Sequence, residues 1–132
     1  MSITRGNPST LKNMRPNAYS HFVRVDQPKS LVFIAGQLSR NAEGETVGLG
    51  DMYAQAKQCF LNVQTCLEAA GATLDDVVSL TIYTTDIRES KKISEARLEF
   101  FSHLLPTSTM VEVNQLGEPG LLVEIQAVAA LA

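Results

Sequence analysis

The chain has 132 residues, 45% hydrophobic and 19% charged, with a formal net charge of −3 and a pI near 5.3. That length suits one domain spanning 1–132, and no Lys or Arg run longer than Lys91-Lys92 is present to grip nucleic acid or an anionic membrane. No apolar run approaches a membrane span and Met1 to Pro8 carry no signal-peptide core, so a cytoplasmic location is expected. The low charge fraction also points to surface covered by a partner, such as copies of the chain itself.

Residues 1 to about 17 hold Gly6, Pro8 and Pro16 without periodicity and read as an extended arm. Tyr19 to Val25 alternates loosely and predicts a first strand, followed by the polar turn Asp26-Gln27-Pro28-Lys29. Leu31 to Ala35 is an unbroken apolar run, the pattern of a strand covered on both faces. Residues 41–50 read as a loop with room for a short strand.

Asp51 is an N-cap candidate, and Met52, Ala56, Cys59, Phe60, Val63, Leu67 and Ala70 recur at helical spacing. A helix is predicted from Asp51 to Ala70, with Gly71 just beyond its end and Gln55 among the residues off the stripe. Cys59 and Cys66 lie seven residues apart on it, roughly 10 Å, too far for a disulfide. They read as small core residues. No His or further Cys stands at ligand spacing, so no metal site is expected.

Thr73 to Asp76 is a turn, and Val77 to Thr85 is β-rich. A second helix is predicted from Ser90 to Leu104, with Ile93, Ala96, Phe100 and Leu104 as its stripe and Pro106 marking its end. The last third, Leu105 to Ala129, holds two β-branched runs around a loop with Gly117, Pro119 and Gly120. Glu112 and Glu124 each sit between apolar neighbours, so each carboxylate points to the opposite face from those neighbours.

The order strand–strand–helix–strand–helix–strand–strand predicts an α+β two-layer domain with a mixed sheet. Two helices are too few to cover both faces and are expected on one. The other would show Leu, Val and Glu unless subunits of a symmetric trimer or dimer meet there.

From about Tyr19 to Ala129 the chain resembles the Rid (reactive intermediate deaminase, YjgF) family. The marks are Phe33-Ile34-Ala35-Gly36-Gln37, Gln55-Ala56 with Asn62-Val63, Leu67 to Gly71 followed by Leu74 to Val77, Thr84-Thr85-Asp86, Glu99-Phe100-Phe101, Val111-Glu112-Val113 and Val123 to Ala127. The resemblance implies a chorismate-mutase-like fold and a homotrimer whose sheets form a central barrel, with small-molecule pockets between subunits. It also implies cofactor-free hydrolysis of 2-imino and enamine acids to 2-oxo acids and ammonia.

Matched to the family, Glu124 would position and activate water, while Tyr19 and Gly36 would border the pocket. The family's Pro-x-Arg-Ser pattern, whose arginine binds the substrate carboxylate, reads Pro106-Thr107-Ser108-Thr109 here. Ser108 takes the arginine position, and Met110 stands where a Cys often follows. Arginine supplies two charge-assisted bonds of about 1.5–3 kcal/mol each, against one neutral bond of about 0.5–1.5 kcal/mol from serine. Either the substrate differs from the usual 2-imino acids, or another arginine, of which Arg15, Arg24 and Arg40 are candidates, reaches in.

Deamination of an imine or enamine is thus the leading expectation. A non-catalytic ligand-binding or sensing trimer is the alternative, and RNA cleavage ranks last given the acidic pI. Glu112 reads as structural, and His21 and His103 as packing or surface residues.

Overall fold

The computed structural model describes residues 1–132. Its elements run β1 (Ser2–Gly6), β2 (Phe22–Asp26), β3 (Ser30–Leu38), α1 (Met52–Ala69), β4 (Val77–Thr84), α2 (Ser90–Leu98), β5 (Thr107–Glu112) and β6 (Val123–Leu131). Four strands form a mixed sheet in the order β3-β6-β4-β5, with β4 and β5 parallel and the other pairs antiparallel. Both helices pack on one side of this sheet, which is the two-layer α+β arrangement expected.

The arm is the first correction. Ser2–Gly6 is a strand, paired antiparallel with β2 from Ser2 opposite Asp26 to Gly6 opposite Phe22. Its partner lies some twenty residues away, so local periodicity carries no trace of the pairing.

Helix α1 begins as expected. The Asp51 side chain accepts a hydrogen bond from the Ala54 N–H at 3.0 Å. It ends at Ala69, with Ala70 capping and Gly71 at φ +81°, a left-handed turn that suits glycine. The predicted stripe from Met52 to Leu67 is buried and meets Leu80, Ile82 and Ile125 of the sheet in one core. Ala70, past the last turn, is exposed.

Gln55 is a second correction. It is fully buried, with its amide nitrogen donating to the carbonyls of Gly48 (3.1 Å) and Gly120 (2.9 Å) and its oxygen accepting from the Leu122 N–H (2.9 Å). Backbone groups left unpaired by two loops need these partners, and the amide supplies both polarities.

Helix α2 stops at Leu98, not Leu104. Leaving the helix lets two consecutive phenylalanines reach one residue. Phe100 stacks on Phe60 at 5.4 Å, and Phe101 meets it edge-on at 6.0 Å. Leu104 is then exposed, at φ +38°.

Strand β3 also departs from expectation. It is covered on one face of this chain only. Ile34 is buried, but Leu31 and Phe33 are 53% and 73% exposed on the side without helices.

Register assigns the sheet faces. Leu80, Ile82 and Thr84 of β4 are paired with Ser108, Met110 and Glu112 of β5 and with Ala127, Ile125 and Val123 of β6. These share the helix-covered face. Thr81 and Tyr83, with Thr109, Val111, Gln126 and Glu124 beside them, share the open face.

Candidate functional site

Glu124 is the second residue of β6, between Leu38 of β3 and Tyr83 of β4 in register. Next to it β3 bulges, with Ala35 and Gly36 together opposite the single residue Gln126. The Glu124 side chain leans over Gly36. A Cβ built there would stand 2.3 Å from Glu124 Oε2 and 2.7 Å from its Cδ, so the carboxylate can lie in this place only because residue 36 carries no side chain. Glu124 is half-buried and takes part in none of the chain's ion pairs. A carboxylate so placed is free to accept from a ligand or a water.

Gly36 also lines a cleft of about 590 Å³ with Arg40, Asn62 and Cys66. Asn62 Nδ2 donates to the carbonyls of Leu38 (3.0 Å) and Arg40 (2.9 Å), anchoring the exit of β3 to helix α1. Arg40 is neutralised by Glu118 at 2.9 Å. Arg24, also a candidate, is exposed on β2 and pairs with Asp26 at 3.0 Å.

Ser108 and Met110 occupy the helix-covered face of the edge strand β5, and Met110 packs against the core. Tyr19 lies at the start of that strand. Its neighbour Ser20 bonds the Pro106 carbonyl through N–H (3.0 Å) and the Leu105 carbonyl through Oγ (2.7 Å). The Tyr19 ring meets His21 edge-on at 5.4 Å.

The residue that meets Ser108 is one that sequence reasoning missed. Arg97 Nη1 donates to Ser108 Oγ at 3.2 Å, and Nη2 donates to Ser94 Oγ at 3.3 Å. Arg97 is only 4% exposed and forms no ion pair, and its Nε–H has no partner. Burial, and then the charge of Arg15, pull its pKa down from the usual arginine value. The signal available in sequence was spacing, since Arg97 lies four residues after Ile93 and shares its buried face.

One chain therefore divides the expected site. Glu124 and Gly36 lie on the open face, Ser108 and Met110 on the other, and Tyr19 stands by the start of β5 with the latter pair. Glu112 accepts from the Ile87 N–H at 3.0 Å, a structural role. His103 lies at the surface, 3.6 Å from Asp75. Cys59 donates to the Val123 carbonyl at 3.5 Å, and burial, with the Glu124 carboxylate adding to it, pushes its thiol up to about 12. Both cysteines are free thiols. No three His, Cys, Asp or Glu side chains gather as metal ligands, and no helix is long and apolar enough to cross a membrane.

The fold defines a small α+β protein in which the candidate site residues are split between the two faces of one sheet. The family described as Endoribonuclease L-PSP matches residues 12–131, and the chain belongs to that family, also called YjgF or Rid. A RutC family protein of Pyrococcus abyssi is 34% identical over 111 residues, 84% of each chain. A 2-iminobutanoate/2-iminopropanoate deaminase of Capra hircus is 30% identical over 84% of this chain and 78% of its own. The crystal structure of the Rid protein YyfB from Yersinia pestis matches with a TM-score of 0.90 and 33% identity, over 99% of this chain and 100% of that one.

Proposed function

We propose that this protein hydrolyses a reactive imine or enamine to a carbonyl compound and ammonia, without a cofactor, in pockets shared between copies of the chain. The observation that carries the reading is Glu124, a half-buried carboxylate with no cation beside it, held over a bare glycine backbone. Relatives named as iminobutanoate/iminopropanoate deaminases support the reaction class.

The chemistry asks little of the protein. An enamine first tautomerises to the imine. Water adds to the imine carbon as the nitrogen takes a proton, and the carbinolamine then releases ammonia and leaves C=O. Glu124 accepts the proton of the attacking water and returns it to the leaving nitrogen, a positioned base and acid in turn. Gly36 lets the substrate approach the backbone closely. Tyr19, Ser108 and Met110 border the substrate from a second copy, with Ser108 offering one neutral hydroxyl.

The split of these residues between two faces supports assembly. A ring closed by heterologous contacts sets one face of each chain against a different surface of the next. Leu31 and Phe33, exposed beside Glu124's strand, are the apolar surface such a contact would cover. A homotrimer is the assembly we propose. Hydrolysis of RNA fits the chain less well, since its net charge of −3 gives no attraction for phosphates.

The test is ammonia release from 2-iminopropanoate generated in situ. The natural protein should accelerate it, and Glu124→Gln should reduce kcat by about 10²–10⁴-fold. Unchanged release by Glu124→Gln would end the catalytic reading. A ligand that raises the melting temperature yet is recovered unaltered would favour the binding-only alternative, which the serine at position 108 supports.

A further inference from the structure

Arg97 is the one buried charged side chain of this protein, and it has no counter-ion. A guanidinium carries five N–H donors. Two are taken by the neutral hydroxyls of Ser94 and Ser108, and Nε–H faces no acceptor. Burying a cation among neutral groups is costly unless an anion completes the site.

Arg97 lines a cleft of about 350 Å³ between residues 15–18 and helix α2. The other ionisable groups of its wall are Arg15, Lys91 and Glu95, so three cations face one carboxylate. Glu95 forms no ion pair with any of them. The rest of the wall includes Pro16, Ala18 and Leu98, and Leu98 is 49% exposed.

We infer that this cleft is a binding site for a small organic carboxylate, with Arg97 as its anion-holding residue and Arg15 as a second cation at its mouth. The planar guanidinium fork matches a carboxylate, and the cleft's size and apolar wall suit the short carbon chain behind it. An inorganic oxyanion would leave Leu98 and Pro16 uncovered. The site lies on the helix side of the sheet, and an anion is held there whether or not it is turned over. It therefore stands or falls separately from hydrolysis at Glu124.

The test follows the arginine Nε–Hε signals of 15N-labelled protein by NMR, with Arg97 assigned by comparison with Arg97→Lys. Sodium pyruvate should move the Arg97 signal saturably, while sodium chloride at equal ionic strength should not. Arg15→Gln, on the exposed arm, should keep the fold and weaken pyruvate binding by about 2–5-fold, the effect of one solvent-exposed charge. Arg97→Gln should abolish saturable binding. Should Arg97→Gln fail to fold, the titration of the natural protein and Arg15→Gln decides. A signal that does not saturate, a shift reproduced by chloride, or tighter binding of inorganic phosphate than of pyruvate would each overturn the inference. Loss of ammonia release with pyruvate binding intact would count against the hydrolytic reading alone.

Discussion

Glu124 lies over Gly36 so closely that a methyl group on residue 36 would meet its carboxylate oxygen at 2.3 Å. The obstructing atoms are the far end of a flexible side chain, not backbone. Gly36→Ala should therefore move the carboxylate and leave the fold nearly as stable. We expect urea midpoints to change little and ammonia release to fall by about 10²-fold, the scale of a 1 Å misplacement of a catalytic group. A large loss of stability with kcat unchanged would refute this account of the glycine.

The contact between Arg97 and Ser108 makes the reverse substitution informative. Ser108→Arg would set a second guanidinium against one already buried there. Like charges in a desolvated site repel, so this variant should lose stability, and added salt should restore little of it. Arg97→Ser combined with Ser108→Arg should recover much of the loss, leaving one guanidinium between the two elements. Additive losses in this double-mutant cycle would show that the two positions do not interact.

Gln55 offers a stability test away from any chemistry. Gln55→Leu keeps most of the volume but removes the acceptor for the Leu122 N–H and the donor to two carbonyls. Leaving such a group unsatisfied costs about 1–3 kcal/mol. Chemical denaturation should show a loss of at least that size, and a neutral variant would mean that water replaces the amide.

The Cys59 thiol gives a pH prediction with a definite sign. Its pKa rises from an ordinary 9.0 to about 12 in the fold. Between those values the unfolded chain has released the proton while the folded chain keeps it, so stability falls as pH rises through that window. Cys59→Ala should show a shallower alkaline loss than the natural protein. In the folded state at pH 8, thiol reagents should label half-buried Cys66 and spare Cys59.

Phe33 reports on assembly. It is 73% exposed in the single chain, so Phe33→Asp should cost the isolated fold little. Sedimentation should give a trimer mass for the natural protein and a smaller species for the variant. An unchanged mass would move the subunit contact elsewhere.

Much of this fold was legible in order along the chain. Helix α1 announced itself through an N-cap, a stripe and a glycine stop, all of them local features with a 3.6-residue period. The β-branched runs marked β4, β5 and β6, and too few helices for the sheet implied one open face. Glu124 and Gly36 could be named as candidates through the family resemblance, because motifs keep residue order. What local pattern does not record is pairing across distance. The β1–β2 ladder, the inward turn of Gln55 and the early end of α2 at two phenylalanines each depend on a partner remote in sequence. Strand register then decided where the candidate residues stand. It set Ser108 on the opposite face from Glu124 and beneath a helix, where Arg97 reaches it. A sequence carries an arginine's position, but only packing tells whether its charge is solvated, paired or left buried and unpaired.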